Sequence, residues 1–192
     1  MPSLEQSVKS QFAKVFVSSD WRLFKEMAEI NLSEAAFLKK SSKVAKSRRL
    51  LARNSRKRLL IGVGLELLLK AVYLKADYCI NKPQDRAAPL RPPFRPSEAV
   101  GWQLEAADTY TLEQLTRTLK KILQMQKPQY VIDGLSIAKV FRNKEGHVVT
   151  RAHRFDAKSY RMIEGALREI YANAFQEQLT VRFSFERRER GC

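Results

Sequence analysis

Five of the seven prolines in this 192-residue chain fall between positions 83 and 96. Proline removes a backbone donor and clashes with the preceding helical turn, at about 3 kcal/mol or more, so the clustering confines that disruption to one segment. Only seven glycines serve the whole chain. A many-stranded β-fold needs turn residues at short, regular intervals, and outside 83–96 this sequence lacks them. The expected fold class is all-α: an up-and-down helical bundle of about five helices, with a Pro-rich excursion and a short C-terminal β segment. Hydrophobic residues at 44% are enough to bury a core and exclude wholesale disorder. The length suits one domain with appendages rather than two large domains.

Apolar spacing places the elements. Residues 1–18 read as a lead-in, and residues 19–178 as the bundle. Ser19 and Asp20 offer N-caps to Trp21, Phe24, Ala28, Leu32, Ala35 and Leu38, which recur at helical spacing over about 20–40. A second helical pattern, 44–80, is basic in its first half and apolar in its second. It contains Gly62 and Gly64, each unfavourable in a helix by roughly 1 kcal/mol relative to Ala, so these are expected at a close contact or a kink. Residues 81–101 form the Pro-rich insertion, read as extended. Thr111 and Gln114 make a capping-box signature for a third helix over about 111–126. Leu135, Ala138 and Phe141 suggest a short fourth, ending near 142–145. Asp156 is placed to cap a fifth, with Ile163, Ala166, Leu167, Ile170, Tyr171 and Ala174 as its apolar stripe. In the tail, 179–192, Val181, Phe183 and Phe185 alternate with polar residues, a strand signature that requires a partner strand.

Charge points to a class of partner. The net charge is +16, and residues 39–58 hold ten basic residues and no acidic one, leaving 26 basic against 20 acidic residues elsewhere. A field concentrated in this way implies an anionic partner such as RNA. Lys46, Arg49, Arg53, Arg56 and Lys57 are the candidate RNA-binding residues, and Arg49, Arg53 and Lys57 recur every four residues, which a helix would align as a ladder along a phosphate backbone. The plainer reading is a solvated charged face. Two cysteines make neither a disulfide framework nor a zinc pattern, so no metal and no cofactor is expected. No uncharged apolar run is long enough for a signal peptide or a membrane span, and a reducing cytoplasm is the expected location.

The chemistry concentrates around the two histidines. Arg142, Asn143 and His147 spell R-N-x-x-x-H between a helix end and the next helix. At about 100° per residue Asn143 and His147 share a face, while Arg142 stands about 140° from His147, so the arginine's length or a helix break at Gly146 must bring the guanidinium round. A permanent cation neutralises phosphate, an amide orients it, and an imidazole moves a proton near neutral pH. This set suits RNA cleavage by the ribose 2′-hydroxyl, an internal nucleophile that needs no metal. One histidine supplies one proton-transfer group and the reaction needs two, which a homodimer would provide. His153, between Arg151 and Arg154, is the weaker substitute.

Three passages together resemble the HEPN superfamily of helical-bundle proteins. Gly64-Leu65-Glu66-Leu67-Leu68-Leu69-Lys70-Ala71 is similar to a core-helix stretch of that superfamily, residues 110–115 to the start of its next helix, and residues 141–147 to its R-x4-6-H signature in the Asn-containing form. The resemblance spans roughly 20–175. It implies a ribonuclease, a toxin or antiviral-defence effector, whose catalytic residues Arg142, Asn143 and His147 face the same trio across a dimer interface, with an antitoxin or defence-system partner in prospect. Val149 stands two residues after His147, where the branch regulated by partner nucleotidyltransferases usually has Tyr. Glu66 and Lys70, four apart on an apolar helix, share a face. They read as residues standing behind that site and holding its arginine or histidine in place, or as an ordinary ion pair. A non-catalytic RNA-binding module and an interaction subunit remain as alternatives.

Overall fold

The computed structural model describes residues 3–8, 10, 20–38, 46–85, 87–145, 157–179 and 181–183, with the side chains of 46–51, 106, 107 and 145 outside that description. Among the described residues five helices carry the fold: α1 (Trp21–Phe37), α2 (Lys46–Lys75), α3 (Leu112–Thr118), α4 (Pro128–Glu145) and α5 (Ala157–Ile170), the last continued by a π-turn over Tyr171–Phe175. A short helical stretch also occupies residues 4–8 of the lead-in. The chain is mostly helical, but the all-α expectation is corrected. Strands β1 (Asn81–Pro83) and β2 (Leu104–Thr109) pair antiparallel, Asn81 opposite Thr109 and Pro83 opposite Leu104, with an irregularity between. They escaped the alternation test because β1 has three residues, one of them proline, and β2 carries Glu, Ala and Asp, which are depleted in strands. Side chains reinforce the ribbon instead: Asn81 Nδ2 donates to the Glu105 carbonyl at 2.8 Å, and Lys82 pairs with Asp108.

The helix ends follow from local chemistry. The Asp20 carboxylate accepts from the Arg22 amide at the start of α1. α2 stops at Lys75 because Asp77 turns left-handed at φ 60° and the Tyr78 amide closes back on the Tyr73 carbonyl at 2.9 Å. The Thr111/Gln114 capping box is complete at α3. That helix is shorter than the expected 111–126: the Thr116 and Thr118 hydroxyls donate to the Leu112 and Gln114 carbonyls, competing with the helical ladder, and the chain tightens to a 3₁₀ turn at Leu119–Lys121. Pro128 begins α4, which at 18 residues is longer than the short fourth helix expected.

α2 is the central element, packed by α1, α3 and α4, while α5 packs on α4. Phe24, Ala28, Leu32 and Ala35 of α1 are buried, and Gly64 lets Leu32 and the Ala28 carbonyl come close to α2. Tyr73 donates to the Leu115 carbonyl at 2.7 Å, tying α2 to α3. The expected C-terminal strand is not formed over the described tail residues, 179 and 181–183, because 181–183 lie along α5 instead of beside a strand: Phe183 is buried, its ring 6.4 Å from that of Tyr160, and its amide donates to the buried Glu164 carboxylate at 2.7 Å. The remainder of the alternating segment lies outside the described residues. Among the described residues no helix is long and apolar enough to cross a membrane.

Candidate functional site

Arg142 lies near the C-terminal end of α4, on the side that meets α2. The neighbouring Phe141 is buried, and its ring lies 5.6 Å from that of Tyr160 on α5. With that ring anchored in the core, Arg142, about 100° further round the helix, is turned onto α2. A β-carbon built on Gly62 would lie only 2.5 Å from the Arg142 β-carbon, so the two helices touch nearly backbone to backbone at this point.

From this root the side chain reaches Glu66, one turn further along α2. Arg142 Nη1 stands 3.0 Å from Glu66 Oε2, an electrostatic contact rather than a directed hydrogen bond. The other carboxylate oxygen, Oε1, accepts from Lys70 Nζ at 3.0 Å. Glu66 and Lys70 are almost wholly buried, whereas the Arg142 side chain keeps 37% of its surface exposed. One carboxylate between two cations leaves the cluster at +1. Among the described residues the guanidinium is thus held without being neutralised, with donors left for an incoming anion. Sequence spacing paired Glu66 with Lys70; the fold adds Arg142 from another helix.

Asn143 is exposed at the same end of α4. His147 and the substitute His153 lie outside the described residues, as does Asp156.

The basic run is organised differently from an outward ladder. Arg56 is exposed and ion-paired with Glu34 of α1. Arg53 is half-buried, and Lys57 is 1% exposed, its ammonium 5.3 Å from the centre of the Tyr160 ring. The repeat that was to align Arg49, Arg53 and Lys57 along a strand therefore turns inward by Lys57, because its aliphatic stem and the aromatic face of Tyr160 accommodate the cation inside the bundle. Arg58 is buried too and donates from Nε to the Asn54 carbonyl. The side chains of Lys46 and Arg49 lie outside the described residues.

The close contact expected at Gly62 and Gly64 is present, and at Gly62 its partner, Arg142, was not foreseen. The available signal was its spacing: Gly62, Glu66 and Lys70 follow one another at four-residue intervals and form one stripe of α2. As for other chemistry, burial pushes the Cys79 thiol up, with Asp77 and Glu98 adding to the shift, which is opposite to the activation a nucleophilic cysteine needs. Among the described residues no group of three or more His, Cys, Asp or Glu side chains is placed to hold a metal ion.

No family model, curated protein or solved structure matches this chain.

Proposed function

We propose that the chain is a HEPN-type, metal-independent endoribonuclease acting as a homodimer. The observation that carries this reading is the convergence of Arg142, Glu66 and Lys70: a solvent-reachable guanidinium, fixed by a buried carboxylate that a second cation compensates. A site for phosphoryl transfer needs a positive group already in place where charge develops, because reorganisation at the moment of reaction is the cost such sites avoid.

In the proposed reaction the ribose 2′-oxygen attacks the adjacent phosphorus and the bond to the 5′-oxygen breaks, leaving a 2′,3′-cyclic phosphate and a 5′-hydroxyl. His147 of one protomer takes the proton from the 2′-hydroxyl, and the second copy of His147 returns a proton to the departing oxygen. Arg142 stabilises the phosphorane oxygens and Asn143 orients them. The nucleophile belongs to the substrate, so no metal-activated water enters the balance. The exposed Arg56 of α2 attracts the RNA backbone without reading its sequence. A toxin or antiviral-defence role is the biological setting that suits such an activity.

The test is incubation of end-labelled RNA with the protein in excess chelator, beside His147→Ala. Cleavage that survives chelation, ends in a cyclic phosphate and disappears in the variant supports the reading. RNA binding without cleavage would replace it with an RNA-binding module.

A further inference from the structure

We propose that Gly62 is a positioning residue, acting with Glu66 to seat Arg142 so that its guanidinium is held on the Glu66 carboxylate. The consequence for RNA cleavage rests on the reading above; the seat itself does not.

The geometry is restrictive. A β-carbon at position 62 would lie 2.5 Å from the Arg142 β-carbon and 3.0 Å from both the Arg142 α-carbon and the Ala138 carbonyl oxygen. Two of these three neighbours are backbone atoms and the third is fixed to one, so rotation of a flexible side chain cannot relieve the overlap. Ordinary contact between such carbons begins near 3.4 Å, so any side chain here must move α4 off α2 by about 1 Å. Gly62 also sits one helical turn from Glu66, which makes the reach from the arginine's root to the carboxylate a fixed span along α2. Displacing the root lengthens that span while Lys70 continues to hold Oε1. A misplacement of about 1 Å in a catalytic group costs on the order of 10²-fold in rate.

Gly64 supplies the control. It lies two residues along the same helix, and a β-carbon there would also be too close to a neighbour, at 2.9 Å from Leu32 Cγ, but that neighbour belongs to α1. Gly62→Ala and Gly64→Ala both test packing of α2, and only the first touches Arg142.

The direct readout is the side-chain ¹⁵N spectrum of Arg142, assigned by loss of its signals in Arg142→Lys. A guanidinium held on a carboxylate gives separate, slowly exchanging Nη resonances, and a loose one gives averaged resonances. The expected result is separate resonances in the wild type and in Gly64→Ala, with averaging in Gly62→Ala and Glu66→Gln. Cleavage per folded molecule should fall on the order of 10²-fold in Gly62→Ala and stay near wild type in Gly64→Ala. Averaged Nη resonances in the wild type would overturn the proposal, and so would a wild-type pattern in folded Gly62→Ala. Should Gly62→Ala not fold, comparison of the wild type with Glu66→Gln decides whether Arg142 is seated at all. Held resonances in a wild type that does not cut RNA would uphold the seat and remove the ribonuclease. Full cleavage by Gly62→Ala would uphold the ribonuclease and overturn the part of Gly62 in its rate.

Discussion

The Lys57 ammonium lies 5.3 Å from the centre of the Tyr160 ring, inside the bundle, while Arg56 beside it on α2 faces solvent and pairs with Glu34. Adjacent cations of one basic run thus do different work. A desolvated cation over an aromatic face is worth about 2 kcal/mol, and the Lys57 stem adds buried apolar contact. Lys57→Ala should therefore lower the melting temperature by roughly 4–8 °C for a chain of this size. A surface pair such as Arg56 with Glu34 contributes little, about 0–1 kcal/mol, so Arg56→Gln should leave melting almost unchanged. Thermal melts of the two variants check this, and equal shifts would place both cations in the same environment.

RNA affinity should divide the opposite way. Each phosphate contact on a single strand contributes about 0.7 to the slope of log K against log salt. Arg56→Gln should flatten that slope by about this amount for RNAs of any sequence. Titrations at several salt concentrations read the change directly, and an unaltered slope would return Arg56 to a solvated face.

For catalysis, Arg142→Ala and His147→Ala should each reduce RNA cleavage on the order of 10²–10⁴-fold, the scale for removing a general acid or base or an electrostatic stabiliser. Folding should survive both, since Arg142 is partly exposed and its neighbour Phe141 supplies the core contact. Glu66→Gln should cost less than Arg142→Ala, because it loosens the guanidinium without removing it. Initial rates normalised to folded protein by circular dichroism check the order. A Glu66→Gln loss as large as that of Arg142→Ala would give the carboxylate a more direct part.

These contrasts mark what was legible in the chain. The capping box at Thr111 and the buried stripe of Ile163, Ala166, Leu167 and Ile170 follow from local spacing, and the fold keeps both. So does the pairing of Glu66 with Lys70, a relation within one helix. The β1–β2 ribbon was hidden because its strands are held by cross-strand side-chain contacts and lack an alternating pattern. Burial of Lys57 was hidden because it depends on Tyr160, about a hundred residues away, presenting its ring. The Arg142–Glu66 contact has the same character: helical periodicity selects the face of each helix, and only their packing at Gly62 decides that the two faces meet.

Buried tyrosines give the fold an alkaline limit. Burial pushes Tyr73 and Tyr110 up to about 12 and raises Tyr171 as well. In the unfolded chain a phenol ionises near 10. Below that value both states are protonated and the stabilisation is intact. As pH rises above about 10 the unfolded state loses protons first, so stability falls, and it is lost as pH passes the folded-state value near 12. Melting temperature should decline through this window, and tyrosinate absorbance should show buried groups titrating near 12. Tyr73→Phe should shallow the decline. A melting temperature flat from pH 9 to 12 would contradict the burial of these hydroxyls.

The final prediction concerns the tail. The Glu164 carboxylate is 6% exposed, accepts from the Phe183 amide at 2.7 Å and meets Arg168 on its other oxygen, while the Phe183 ring packs beside Tyr160, the residue that carries Lys57 and touches Phe141. The tail is therefore joined to the rings behind Arg142. Phe183→Ala removes a ring that is 3% exposed and should cost about 3–5 kcal/mol, the range for truncating a buried phenylalanine. Glu164→Gln keeps the size and one acceptor oxygen but loses the charge, and should cost about 1–2 kcal/mol through a weaker bond to the amide. Because the amide bond and the ring contact dock the same short stretch of chain, the double variant should be less destabilised than the two single effects added together. Denaturant unfolding of the three variants measures this coupling. Strict additivity would show that the ring and the amide bond stabilise the fold independently and do not hold the tail as one unit.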